Sequence, residues 1–354
     1  MEVKYQIEDS VLMIHLNKEY GIEIKSIDFI PAGDSAYSYG ISCADGQRYY
    51  MKLFDHHHDR QKAGMDRLDY YLPLTWSMYE EKLFTNLTYP IQTLNGDFKT
   101  TLYNFTVVLF NFIEGETLAE SYPFSKEILE AIAESLAAIH RITPYIDHSM
   151  LLTETFDISF APELEKCLAA LESIQIADSS MKRETRAQVL PRKERILALL
   201  TLVRELRGRA VSETKAMVLC HGDIWGGNLI RHDNGLYFLD WESAILAPPE
   251  LDLIGYIGEE FDVFLAAYEQ HLGQPVTVNL DLLRFYSYRH HLRNLANWLM
   301  NILYRNTEEA QNENDLEMIV HHCMDRWDRI ESRVHAVDAR LRARGQWAKH
   351  TGNP

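Results

Sequence analysis

The 354-residue chain is short of cysteine, of positive charge and of long apolar runs. Its four cysteines, Cys43, Cys167, Cys220 and Cys323, lie far apart, and none forms a C-x-x-C pair. That spacing excludes a disulfide framework or a cysteine-based zinc site and predicts reduced thiols, as in a cytoplasmic protein. Cys220 reads as a buried strand residue rather than a nucleophile. No stretch reaches the ~18 apolar residues of a membrane span. The opening Met-Glu-Val-Lys-Tyr lacks the basic and apolar pattern of a secretory signal, so a cytoplasmic location is expected. Lys and Arg number 35 against 52 Asp and Glu, a net charge of −17, which disfavours nucleic-acid binding. The same acidity would attract a cationic small molecule, although plain solubility accounts for it equally well. Internal repeats and low-complexity tracts are also missing.

What is present suffices for a large core: 46% of the residues are hydrophobic, and the length suggests two domains. A short helix is expected over residues 9–18, opened by Asp9 or Ser10. Strands follow at 22–30, 37–43 and 47–54, the last two around the Ala44-Asp45-Gly46 turn. A second hairpin is expected around Asn95-Gly96, with a further strand at 105–110. Between them, Met65, Leu68 and Leu72 mark one helix and Trp76, Tyr79, Leu83 and Phe84 another, with Pro73 as the break. From residue 116 the pattern turns helical, over 125–141, 160–174, 184–207 and 280–341, with a frayed end at 345–354. The expected class is α+β and bilobal: a β-rich nucleotide-binding lobe over 1–112 and a mostly helical lobe over 113–354. A site between two such lobes suits a nucleotide.

The most informative run is His221-Gly222-Asp223-Ile224-Trp225-Gly226-Gly227-Asn228, followed by Asp240. Met217 to Cys220 reads as a strand entering this loop. Leu229-Ile230 and Leu236 to Leu239 read as a hairpin turning at Asp233-Asn234-Gly235. Two adjacent loops then bring three groups together. Asp223 would accept the proton of an attacking hydroxyl, while Asn228 and Asp240 would hold Mg²⁺ against the phosphates of ATP. Asp and Asn also do ordinary turn work, which suffices for Asn234 but not for the whole set. His221 is expected to orient the loop through hydrogen bonds.

Lys52 stands in the apolar strand Tyr49 to Phe54, where an ammonium must reach water or meet an anion. The functional reading is a lysine that holds the α- and β-phosphates. Its acidic partner is Asp69 or Glu80, with Asp69 slightly preferred because Ser77 to Glu80 also matches a capping box. The loop Pro31 to Tyr37 has neither a G-x-G-x-x-G nor a Walker A pattern. Its backbone amides and the Ser35 hydroxyl remain weak candidates for phosphate contact. His56-His57-His58 could ligate a transition metal, but adjacent histidines on a loop point in different directions, and the run reads instead as a solvent loop. Glu259, Glu260 and Asp262 are candidates for holding ammonium groups of a substrate, or simply an acidic helix end.

The strand lysine, Phe110 to Gly115, the 221–228 loop, Asp240-Trp241 and Ala247 to Leu253 together resemble the aminoglycoside phosphotransferase and choline kinase-like family. The stretch from Tyr20-Gly21-Ile22 through Lys52 looks like the bacterial spectinomycin phosphotransferases in particular. The resemblance implies a protein-kinase-like fold, with adenine against Phe110 and the Asn111 carbonyl and Ile113 amide as its partners. It implies transfer of the γ-phosphoryl group of ATP, with Mg²⁺, to the hydroxyl of a small molecule, for which a cationic one such as spectinomycin is the first expectation. Asp240 is followed by Trp241-Glu242 rather than Phe-Gly, and no Ala-Pro-Glu closes an activation segment, both unlike protein kinases. Choline-, sugar- or homoserine-type acceptors remain open, as does a nucleotide-binding module without catalysis. Neither ATP over GTP nor an oligomeric state follows from the residues.

Overall fold

In the computed structural model, residues 7–31, 36–213, 216–233, 235–258 and 260–350 are described. Helix α1 (Asp9–Tyr20) runs two residues past expectation. It ends where Gly21 takes φ +69° and donates to the Asn17 carbonyl at 2.8 Å, a left-handed stop that glycine adopts readily. Its N-cap is Glu8 with no side-chain cap, not Asp9 or Ser10.

Five strands follow: β1 (Ile24–Ile30), β2 (Tyr37–Cys43), β3 (Arg48–Asp55), β4 (Thr100–Leu102) and β5 (Phe105–Asn111). They form one antiparallel sheet in the order β1-β2-β3-β5-β4. Asn95-Gly96 does form a turn, with Thr93 accepting from the Gly96 amide at 2.9 Å, but no strands flank it. The edge strand that pairs with the outer side of β5, β4, begins only at Thr100.

Alternation along β3 sends Met51 and Leu53 into a core with Leu12, Leu16 and Tyr20 of α1 and Val107 and Leu109 of β5. Tyr50, Lys52 and Phe54 therefore face the other way. On that side lie α2 (Asp59–Met65) and α3 (Leu68–Glu80). Pro73 does not break the helix as expected: α3 continues through it, and the Thr75 hydroxyl donates to the Tyr71 and Leu72 carbonyls. Ser77 consequently lies inside α3 and its hydroxyl donates to Glu81, so the capping box is not formed.

The short strand β6 (Glu116–Thr117) and α4 (Lys126–Arg141) lead onward. Ser125 caps α4 by accepting from the Ile128 amide, and one apolar face carrying Ile128, Ile132, Leu136 and Ile139 is buried. Strands β7 (Val218–Cys220), β8 (Leu229–His232), β9 (Gly235–Phe238) and β10 (Ile245–Ala247) carry the candidate loop. Here β8 pairs with β9 and β6, and β7 with β10. The β8–β9 turn closes with His232 opposite Gly235 and Asp233 at φ +49°; Asn234 lies outside the described residues.

Two compact units result. The first comprises Met1–Thr153, Val218–Leu246 and Gln270–Gly273, and so holds the sheet and the 221–228 loop. The second comprises Glu154–Met217, Ala247–Glu269 and Gln274–Pro354 and is helical among its described residues. Its helices are α5 (Ala161–Ser173), α6 (Ser180–Val189), α7 (Lys193–Glu213), α8 (Glu250–Leu253), most of α9 (Phe261–Leu272), α10 (Leu280–Met300), α11 (Glu309–Glu317), α12 (Asp325–Trp327) and α13 (Ile330–His350). The single helix expected over 184–207 is two, separated by a tight turn at Leu190–Arg192. Pro191 at that turn lacks an amide hydrogen and crowds the preceding carbonyl, which ends α6. Helix α10 packs against α5, α7 and α13 and buries ten residues. From α10, Arg289 grips Glu154 through two hydrogen bonds of 2.6 and 3.0 Å.

Candidate active site

The site is built from β3, the 221–228 loop and the residues just after β9, all in the first unit. The Leu229–Phe238 pair closes one end of the β8–β9 ladder, and the Leu239 amide donates to the Asn228 carbonyl at 2.9 Å. That bond sets Asn228 beside the residue preceding Asp240. The buried His221 spans the same gap: its Nε2 meets the Leu239 carbonyl at 2.8 Å and its Nδ1 accepts from the Asp223 amide at 3.4 Å. Its ring lies 4.7 Å from that of Trp241, whose indole donates to Phe238. His221 thus orients the loop by hydrogen bonding, the role expected of it.

Within the loop, the Asn228 amide nitrogen donates to the Asp223 carbonyl at 2.8 Å and to its carboxylate at 3.1 Å. The carboxylate is held in one orientation, and the Asn228 amide oxygen is turned away from it. Gly222 is required by its place: φ is +82°, and a Cβ there would fall 2.4 Å from the Ser243 carbonyl oxygen. Gly226 is equally confined, since its Cβ would fall 2.2 Å from the Leu118 oxygen. The Gly226 amide donates to the Tyr122 hydroxyl at 2.8 Å.

Asp240 itself is left-handed, at φ 60° and ψ 62°, a conformation Asp tolerates better than most residues. Its carboxylate accepts from Lys52 at 2.7 Å, and Glu242 accepts from the same ammonium at 2.5 Å. The Lys52 side chain is only 10% exposed, so its charge depends on these two partners. Burial works against that charge, but Asp240 and Glu242 outweigh it and hold the lysine well above its ordinary range. Burial would likewise raise Asp240, yet Lys52 outweighs it and keeps that carboxyl low. Glu242 moves the other way: burial raises it, Lys52 only partly offsets this, and the Asp240 charge adds to the rise. The two acids are driven apart, Asp240 downward and Glu242 upward, because they share one ammonium between them.

Neither helical acid expected to pair with Lys52 does so. Asp69 accepts from Lys99 at 2.5 Å, and Glu80 is exposed near the end of α3. Both lie off the buried face of α3, which is filled by Leu68, Tyr71, Leu72, Thr75 and Met78 at helical spacing. Glu242 was missed by the sequence reading, although it stands where Trp241-Glu242 replaces Phe-Gly, and that replacement was the available signal. Ser35 lies outside the described residues, as does Glu259. Asp262 is occupied, pairing with Arg340 at 3.3 Å.

Asn111 ends β5 and is braced on three bonds. Its amide donates to the Tyr89 carbonyl at 3.2 Å, its side-chain oxygen accepts from the Tyr89 amide at 2.8 Å, and its side-chain nitrogen donates to Leu87 at 3.3 Å. The extended segment 86–91 also bonds Phe238 through the Asn86 carbonyl and the Thr88 amide, at 2.9 and 3.0 Å. One short segment therefore ties the strand leading to Asn111 and Ile113 to the strand leading to Asp240.

Comparison with known proteins places this arrangement in a family. A family model described as the phosphotransferase enzyme family matches residues 29–286. Protein StrN of Streptomyces griseus is 25% identical over 231 residues, which span 63% of this chain and 67% of StrN. A spectinomycin phosphotransferase, APH(9)-Ia, solved with ADP and spectinomycin, superposes with a TM-score of 0.72 at 19% identity, covering 89% of this chain and 94% of its own. The amicoumacin kinase hAmiN superposes at 0.58 and 12% identity, over 89% and 94%. An ethanolamine kinase of Plasmodium vivax does so at 0.51 and 13%, over 84% of each chain. These likenesses show the kinase-like fold, and the match over 29–286 shows that the chain belongs to the phosphotransferase enzyme family.

Proposed function

We propose that the protein is an ATP- and Mg²⁺-dependent small-molecule kinase that passes the γ-phosphoryl group of ATP to a hydroxyl. The observation that carries this reading is the closure of one cluster from distant residues. Lys52 reaches Asp240, and Asn228, one backbone bond from Leu239, orients Asp223. Asp223 would align the acceptor hydroxyl and take its proton as the oxygen attacks the γ-phosphorus. The bond from that phosphorus to the bridging oxygen then breaks, and ADP leaves. Lys52 would hold the α- and β-phosphates. Asn228 and Asp240 would hold Mg²⁺; an amide oxygen and a carboxylate are the hard oxygen donors that ion prefers. The ion, when bound, neutralises charge on the phosphates. Asn111 and Ile113 offer backbone groups to the adenine, and no described residue accepts a hydrogen bond from the Ile113 amide. Acceleration then comes mainly from positioning and charge neutralisation.

The first acceptor to consider is an aminocyclitol or aminoglycoside such as spectinomycin, supported by the fold likeness to a spectinomycin phosphotransferase and by the acidic charge balance. Antibiotic resistance in the cytoplasm is the corresponding biological role. Among the described residues no helix is long and apolar enough to cross a membrane. A coupled ADP-release assay with Mg-ATP across spectinomycin, aminoglycosides, choline and small sugars tests the proposal. Saturable release with a phosphorylated product identified by mass is expected for one aminocyclitol. Release with choline or a sugar instead would move the acceptor to a metabolite. Tight Mg-ATP binding without turnover on any of them would favour a non-catalytic nucleotide-binding module.

A further inference from the structure

A buried lysine that receives phosphates has to remain charged and aimed while its surroundings change. In the arrangement proposed above, Asp240 has two claimants, the lysine at 2.7 Å and a metal ion. When Asp240 turns to the metal, an ammonium whose side chain is 10% exposed would lose half of its compensation. Removing a partner from a buried charge is among the costliest changes a site can undergo. A second acid must therefore stay with the lysine, and among the described side chains the helices beside β3 supply none. Asp69 is taken by Lys99, and Glu80 is exposed.

Helix α2 instead presents a gap. Gly64 is buried, and a Cβ there would sit 3.3 Å from Phe54 Cε1 and 3.4 Å from Glu242 Oε2. Glu242 fills the space that a side chain on the helix would crowd, and reaches Lys52 at 2.5 Å. Its own side chain is 16% exposed, and the Arg67 guanidinium touches its backbone carbonyl at 3.4 Å. From α3, the buried Tyr71 brings a hydroxyl with no hydrogen-bond partner among the described residues, not an acid.

We propose that Glu242 is the positioning residue of Lys52, supplied by the segment after Asp240 in place of a helical acid, with Gly64 keeping the room it occupies. This inference rests on the assignment of Lys52 as the phosphate-holding lysine. It makes the aim of the lysine a property of the strand-end segment that also carries Asp240, so that no helix has to move to align it.

Binding of Mg-AMP-PNP, followed by calorimetry on the full chain, tests the proposal without needing the acceptor. The proteins compared are the wild type, Glu242→Gln, Lys52→Met and the double variant, with a Mg²⁺ titration of each. Glu242→Gln is close to isosteric, and thermal unfolding confirms that each variant folds. Loss of one charge-assisted hydrogen bond should weaken nucleotide binding on the order of tenfold. The double variant should bind no more weakly than Lys52→Met, because Glu242 acts through the lysine. Glu242→Asp should recover part of the loss, and the Mg²⁺ dependence of Glu242→Gln should match the wild type. Multiplying effects in the double variant, or a raised Mg²⁺ requirement in Glu242→Gln, would show Glu242 to be a metal ligand in its own right and overturn the proposal. A wild-type chain that does not bind Mg-AMP-PNP would bring down the kinase reading itself. Wild-type binding with multiplying effects would sink this inference alone.

Discussion

At the scale of single residues, the site is held by backbone conformations that few side chains permit. Gly222 joins β7 to Asp223 at φ +82°, against the Ser243 carbonyl. A methyl group there meets both a disfavoured conformation and a 2.4 Å approach to backbone. Gly222→Ala is accordingly expected to cost about 1–3 kcal/mol, read as a shift in the urea midpoint, and to lower turnover further by displacing Asp223. An unchanged midpoint with full activity would show that the loop relaxes freely. Asp240 carries a similar strain at φ 60°, and Lys52 and the Trp241 packing hold it there. Most of these residues were legible in advance, because a short motif fixes its own loop: Asp223, Asn228 and His221 meet within eight residues. The partner of Lys52 was not. The bond to Asp240 crosses 188 residues and that to Glu242 crosses 190, so helical periodicity around residues 65–84 pointed only to local acids.

At the scale of elements, periodicity located most helices and strands but not their interruptions. Val189, Ile196, Leu199, Leu200, Val203 and Leu206 are all buried, and that stripe concealed the break at Pro191. At Pro73 the opposite error arose, since α3 continues through a proline that looked like a boundary. Both outcomes follow from tertiary packing outweighing local preference. The central helix of the second unit has a consequence that can be measured. Burial, helped by Arg293, pushes His290 down to about 3, and burial with Arg326 pushes His291 down to about 4. Asn294 lies 3.1 Å from His290 Nε2, which suits a neutral ring accepting the amide hydrogen. Both rings stay neutral in the fold, whereas in the unfolded chain they take up protons below about pH 6.5. Their contribution to stability is therefore complete above that pH and is lost as pH falls towards 4 and then 3. The melting temperature should drop across this range, and His290→Gln with His291→Gln should flatten the drop. An equal slope in wild type and variant would mean that these histidines do not titrate between the two states.

At the scale of the whole molecule, the two compact units are built differently, one around an antiparallel sheet and one around helix α10. All four cysteines are buried, and none of them forms a disulfide. The net charge of −17 makes a further prediction at this scale. For a cationic acceptor, kcat/KM should fall as ionic strength rises, since screening over about 8–10 Å weakens long-range attraction. A flat salt response would assign the acidity to solubility alone. The central claim is narrower: Asp223, held by Asn228, is the group that handles the acceptor proton. Its most direct test is the steady-state turnover of Asp223→Asn beside the wild type, with Mg-ATP and the acceptor found in the ADP-release assay. The account predicts a fall in kcat of roughly 10²–10⁴ with KM for ATP little changed. Undiminished turnover in that variant would contradict it.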